Sequence, residues 1–298
     1  MKLKPAKILK AFRIDAPARF DLGSIDCADT GGIDKDEAVA VLADNVKRLT
    51  DLQERLYAED RWAVLIVLQG MDAAGKDSVI SHVMSGVNPQ GCDVHSFKAP
   101  SAEELDHDFM WRATTRLPER GRIGIFNRSY YEDVLVARVH PEVLERQKLP
   151  PGLTGKHVWG ERFEDIRAFE RHLARSGTLV LKFFLHLSKE EQRRRFLDRL
   201  EEPAKRWKFS MNDIQERKRW DDYMAAYEDM IRATSRAGTP WYVVPADHKW
   251  FTRLVVAATV IEGLESLDLA FPKIEGAALK EMGKIRRALE AESPRKGR

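Results

Sequence analysis

The chain has 298 residues, 33% of them charged, yet its formal net charge is only +3. That length suits one large α/β domain with appendages, or two small domains. The near balance of charge excludes a globally cationic, nucleic-acid-binding surface, so any polyanion site must be a local concentration of Lys and Arg.

Residues 1–33 carry Pro5, Pro17, Gly23 and the pair Gly31-Gly32 with no sustained period, and read as an irregular N-terminal arm. From Asp34, apolar residues at Ala38, Val41 or Leu42, Val46, Leu49, Leu52 and Leu56 recur at spacings of three and four, predicting a long amphipathic helix to Asp60. Ala63 to Leu68 is an unbroken apolar run, a buried strand. It leads through Gln69 into Gly70-Met71-Asp72-Ala73-Ala74-Gly75-Lys76, and an amphipathic helix over 77–84 follows. Val94 to Phe97 is a second strand, after which Ser101 and Glu104 form a capping-box signal for a helix to about Leu117. A third strand, 121–126, ends in Asn127-Arg128-Ser129-Tyr130-Tyr131-Glu132-Asp133. Residues 140–156, rich in Pro and Gly, read as a loop, and 159–176 as a helix. The fourth strand is 178–187. Ser188 caps a charged helix that Pro203 breaks, 210–233 is helical again, 241–245 is the fifth strand, and 247–267 a closing helix. Strands each followed by a helix predict a five-stranded parallel α/β sheet with helices on both faces. The predicted division is an arm over 1–33, a main domain over 34–271 with a lid at about 189–220, and a charged tail over 272–298 that frays at its last six residues.

Gly, four residues, then Gly-Lys is the spacing of a phosphate loop, in which backbone N–H groups and a helix N-terminus surround an anion. Gly70, Met71, Ala73, Ala74, Gly75 and Asp77 are its expected binding positions, Lys76 its point charge, and Lys98 a further cation beyond the second strand. Asp77 stands where a Ser or Thr is usual. Asp72 is an acid inside an anion loop, expected to hold a cation against phosphate, with local backbone capping as the alternative. Asn127, Glu132 and Asp133 are candidates for a second metal-orienting group at the carboxyl end of the third strand, and the residues leave open which of the two acids serves. Arg128 is read as a phosphate clamp. Arg193, Arg194, Arg195 and Arg199, with Lys205, Arg206 and Lys208 beyond Pro203, read as a basic lid rather than a solvated helix face. The histidines show no paired spacing and read as structural. Cys27 and Cys92 sit in unlike contexts without metal-ligand spacing, which points to a reduced, cytoplasmic setting. The N-terminus has no signal-peptide core, and no apolar run is long enough to span a membrane.

GMDAAGKD, HVMSGVNPQG, FKAPS, FNRSYYEDVLVARVHPE, SKEEQRRRFLDRLEEPAKRWKFS and DHKWF together resemble the polyphosphate kinase 2 family over most of the chain. The resemblance implies a P-loop kinase fold related to thymidylate kinase with a helical lid, and reversible transfer between inorganic polyphosphate and ADP or AMP. It also implies Mg²⁺, with Mn²⁺ as a substitute, and a homodimer or homotetramer. Gly-Lys-Asp is that family's own form of the loop. Asn127 and Glu132 stand where its ADP-specific subgroup has Asp and Asn in DRSWYN, so this form resembles the subgroup that accepts both AMP and ADP. An ATP-dependent nucleoside monophosphate kinase and a non-catalytic P-loop nucleotide-binding protein are the rival readings; neither nucleic acid nor membrane is an expected partner.

Overall fold

The computed structural model describes residues 5–292; the predicted fraying of the last six residues falls outside them. In chain order the helices and strands are α1 (Pro5–Phe12), α2 (Lys35–Glu59), β1 (Ala63–Gln69), α3 (Lys76–Val83), β2 (Cys92–Ser96), α4 (Ala102–Leu105), α5 (Trp111–Thr114), β3 (Ile123–Asn127), α6 (Glu132–Val139), α7 (Pro141–Glu145), α8 (Val158–Arg175), β4 (Thr178–His186), α9 (Lys189–Glu201), α10 (Met211–Lys218), α11 (Trp220–Thr234), β5 (Trp241–Pro245), α12 (Lys249–Glu265) and α13 (Gly276–Ala291).

The five strands form one parallel sheet in the order β2-β3-β1-β4-β5. Every residue of β1 is buried, as its apolar run requires when both faces of a parallel strand are covered. Val64, Ile66 and Leu68 face a core closed by α1, α2, α3 and α12, whereas Leu65 and Val67 face one closed by α6, α8 and α11. The chain leaves β1 to one side for β2 and β3 and crosses to the other for β4 and β5. Ligands bind outside the carboxyl ends of such sheets where the direction changes. Pairing of Leu68 with Asn127 brings the segment after Gln69 beside the segment after Asn127. That register, rather than proximity in sequence, assembles the site.

Four local expectations need correction. The arm is not irregular: α1 buries Leu9 and Phe12, Phe12 packs edge-on against Phe251 of α12 at 5.6 Å, and Phe20 and Leu22 enter the opposite core. The capping box at Ser101 and Glu104 forms, but its helix ends at Leu105, and α5 restarts after Asp108 accepts from the Met110 N–H at 2.9 Å. The 140–156 loop contains α7. The 210–233 helix is two helices, broken at Arg219, whose guanidinium donates to the Val139 carbonyl at 3.2 Å.

One buried network underlies the site. Lys182 of β4 donates to Glu170 of α8 at 2.7 Å and to the Thr234 carbonyl at 2.9 Å, while the other Glu170 oxygen accepts from the Tyr130 and Tyr131 hydroxyls at 3.0 and 2.7 Å. All four side chains are fully enclosed. Each polar group is paired, which removes most of the cost of enclosing two charges. Burial sets the Lys182 pKa below its usual range and the tyrosine pKa values above theirs. Tyr130 and Tyr131 are thereby pinned between Arg128 and Glu132.

Candidate active site

The loop between β1 and α3 has the backbone an anion cradle needs. Gly70, Ala73 and Gly75 adopt φ of +151°, +65° and +105°, and a Cβ at Gly70 would lie 2.9 Å from the Leu185 carbonyl. Gly75 is the N-cap of α3 and supplies no capping side chain, so the first-turn N–H groups remain available to an anion. Lys76 is buried, its ammonium donating to the Gly70 and Met71 carbonyls at 2.6 and 3.2 Å. Burial first, and the Arg128 charge second, lower its pKa to about 8. Ala74 departs from expectation, because its N–H is engaged with the Met71 carbonyl at 3.1 Å. The Asp77 carboxylate accepts from the Asn127 amide at 2.6 Å, so only its backbone can serve an anion.

Opposite the loop, Arg128 sits at φ +64°, its N–H held by the Leu68 carbonyl at 3.0 Å. Its guanidinium is 2.6 Å from Asp72 and 3.7 Å from Glu132. Glu132, with Asp72 as the weaker contributor, raises the already high Arg128 pKa, so the group stays charged throughout. The Gln69 amide, turned to suit both neighbours, donates to Glu132 at 2.9 Å and accepts from the Ser129 hydroxyl at 3.1 Å.

Asp133 does not suit the metal role expected of it. It is 6% exposed, accepts from Gln147 at 2.5 Å and lies 3.7 Å from Arg112, and burial raises its pKa to about 6. Asn127 offers only an amide oxygen, its nitrogen being engaged with Asp77. Among the described residues no three His, Cys, Asp or Glu side chains form a metal cage. What the site offers is Asp72 from the loop and Glu132 from the start of α6, both beside the Arg128 guanidinium. That donor set fits a hard cation completing its shell with phosphate oxygens.

Two cavities meet here. One, of about 550 Å³, is lined by Ala73, Gly75, Lys76 and Asp77 of the loop and by Arg195, Arg199, Lys205, Lys208 and Lys249. Eight Lys and Arg line it against three acids, Asp72, Asp77 and Asp198. The other, of about 380 Å³, has mixed walls: Gly70, Met71, Pro100, Leu105, Val136, Val143, Tyr223 and Tyr227 beside Arg112, Arg146, Asp213 and Glu216. Asp72, Lys98 and Arg128 line both.

The lid arginines divide by helix face. Arg195 is 4% exposed and donates to the carbonyls of Ala73, Ala74, Ala246 and Asp247 at 2.6 to 3.2 Å. It braces the loop from below. Arg193 and Arg194 line neither cavity; they pair along the exposed face with Glu190 and with Glu191 and Asp198. Arg206 also lines neither, turning back to the Leu200 carbonyl at 2.8 Å. The expected polyanion groove therefore loses these three, keeps Arg195, Arg199, Lys205 and Lys208, and gains Lys249. Arg112, Arg146, Asp213, Glu216, Tyr223 and Tyr227 went unrecognised in the sequence. The signal there was a spacing of one helical turn, shared by Asp213 and Glu216 on α10 and by Tyr223 and Tyr227 on α11.

The sequence model of one family, Polyphosphate kinase 2 (PPK2), matches residues 32–272. An ADP-polyphosphate phosphotransferase of Rhodopseudomonas palustris is 52% identical over 97% of this chain and 99% of its own, and an AMP/ADP-polyphosphate phosphotransferase of Meiothermus ruber is 46% identical over 91% and 98%. The crystal structure of Polyphosphate Kinase 2 from Arthrobacter aurescens superimposes with a TM-score of 0.85 at 38% identity, covering 98% of both chains. With the loop, the parallel sheet and the basic cavity all in place, the chain belongs to the polyphosphate kinase 2 family.

Proposed function

We propose that this protein transfers phosphoryl groups reversibly between inorganic polyphosphate and adenine nucleotides, converting ADP to ATP and AMP to ADP. The observation that carries the reading is the pair of cavities sharing Asp72, Lys98 and Arg128. The basic cavity matches a polyanion in charge, and the mixed one matches a nucleoside with its phosphate turned toward the shared wall. The names of the two relatives support ADP, and that of the Meiothermus ruber protein supports AMP as well.

In this mechanism the loop N–H groups and Lys76 bind the terminal phosphates of the chain, and Arg128 clamps the group in transit from the other side. Asp72 and Glu132 would hold Mg²⁺, which when bound offsets charge on the phosphate oxygens. The acceptor is an ionised phosphate, so no strong general base is required, and positioning with charge stabilisation does the chemical work. When ADP is the acceptor one phosphoanhydride replaces another, which makes the step reversible.

The deciding experiment incubates pure protein with Mg²⁺, long-chain polyphosphate and either ADP or AMP, without ATP. ATP from ADP, and ADP then ATP from AMP, are the expected products. Product from ADP alone would remove the AMP activity; no product from either, with turnover restored by ATP plus AMP, would make the protein a nucleoside monophosphate kinase. Because polyphosphate is a polyelectrolyte held by a cationic cavity, its KM should rise steeply with salt through counterion release, and a flat response would count against that cavity.

Self-association into a dimer or tetramer is part of the same reading. Supporting it, α13 buries no residue yet carries Leu279, Met282, Ile285 and Leu289 along one side, each at least half exposed. A free helix of this length is marginal in water, and a second copy of the stripe would cover it. Ile285→Glu should lower the mass measured by light scattering; an unchanged mass would separate α13 from assembly. Among the described residues no helix is long and apolar enough to cross a membrane. Both cysteines are unpaired, which supports a cytoplasmic setting.

A further inference from the structure

Gln192 of α9 lines neither cavity and is 1% exposed, yet both ends of its amide are engaged. Its nitrogen donates to the Asp72 carbonyl at 2.9 Å, and its oxygen accepts from the Arg217 guanidinium at 3.0 Å. Asp72 belongs to the loop and lines both cavities. Arg217 occupies the last turn of α10, whose Asp213 and Glu216 wall the mixed cavity, and the same guanidinium nitrogen also donates to the Lys189 carbonyl at 2.6 Å.

Helix α9 itself is a fixed part. Arg195 ties it to the loop carbonyls of Ala73 and Ala74 and, through Ala246 and Asp247, to the segment that joins β5 to α12. The lid expected as one unit over 189–220 therefore has an anchored half, α9, and a second half, α10, beyond the break at Pro203. Within this bonded set a planar amide joins the second half to the loop. A shift of α10 that moves Arg217 must either break its bond to Gln192 or turn the amide, and a turned amide withdraws its N–H from the Asp72 carbonyl. Either outcome leaves a buried polar group unpaired, which is costly.

We infer that Gln192 is a positioning residue coupling α10, where the acceptor nucleotide is enclosed, to the phosphate loop that receives polyphosphate, so that each substrate tightens the binding of the other. This rests on the two-cavity reading above. Coupling between sites commonly amounts to about 5- to 150-fold in affinity, and must be reciprocal. A single amide linkage belongs at the lower end, about 5-fold.

The test is a grid of initial rates of the full chain against polyphosphate and ADP with Mg²⁺. From it comes the interaction factor, the ratio of the polyphosphate constant without ADP to that at saturating ADP. The wild type should give a factor near 5. Gln192→Met, which keeps the length and removes both bonds, should bring it to about 1, as should Gln192→Glu, which keeps an acceptor for Arg217 but loses the donor to Asp72. Arg217→Met, at the outer end of the linkage, should do the same, and serves if the buried variants fail to fold. A residue that only supports the fold would lower thermal stability and active fraction while leaving the factor unchanged. A wild-type factor of 1, or variants that keep the wild-type factor, would overturn the coupling. Absence of transfer from polyphosphate in the wild type would instead overturn the function on which it rests.

Discussion

Lys76→Ala is expected to lower kcat by about 10²- to 10³-fold, the usual effect of removing one preorganised donor aimed at developing charge. In this structure the ammonium is held by two loop carbonyls, Gly70 and Met71, so it is already positioned when phosphate arrives. The same enclosure makes the group titrate near the working range, at about pH 8, because burial disfavours its charged form. The sign follows. Below that pH the lysine carries the proton needed to bind phosphate; as pH rises through about 8 it becomes neutral, and kcat/KM should fall by up to tenfold per unit. Bound phosphate favours the charged form, so the fall in kcat at saturating polyphosphate should lie at higher pH. Lys76→Arg, which cannot lose its charge in this range, should abolish the alkaline fall in whatever activity it retains. Near-normal turnover of Lys76→Ala would dismiss the cradle assignment.

How much of this was legible in the sequence depended on how local the determining physics is. The strands β1 and β4 read directly, because parallel strands covered on both faces appear as apolar runs. Even the enclosed Lys182 within β4 did not disturb that reading, although nothing local announces its partner Glu170 on α8. Helix α1 was missed because eight residues hold too few turns to show a period. The lid arginines were misread for a different reason: three consecutive arginines look alike as composition, but a period of 3.6 residues sends them to different faces. Gln192, Arg195 and Arg199 share the inward face, and Arg193 and Arg194 point outward. The mixed cavity was invisible because its wall is drawn from residues between Gly70 and Tyr227, brought together only by the sheet order.

Arg128→Ala should cost a further about 10²- to 10³-fold in kcat, with a distinct signature. Its guanidinium lines both cavities, so the KM for polyphosphate and the KM for nucleotide should both rise. Lys205→Ala, by contrast, removes a cation from the basic cavity alone and should affect polyphosphate only. Arg128→Lys should recover little, since a point charge cannot face Asp72 and Glu132 together as the planar fork does. The backbone separates function from stability at this position. A non-glycine residue at φ +64° is held there against a cost of about 1–2 kcal/mol, which the Leu68 hydrogen bond and the pinned Tyr130 and Tyr131 sustain. Arg128→Gly should therefore unfold at a higher temperature than Arg128→Ala by an amount equivalent to about 1 kcal/mol, while being equally inactive. If the glycine variant regained activity, backbone geometry rather than the guanidinium would be the contribution of this residue. If both variants kept normal turnover, Arg128 would have no part in the transfer, and the wall shared by the two cavities would have to work through Lys98 and Asp72 alone.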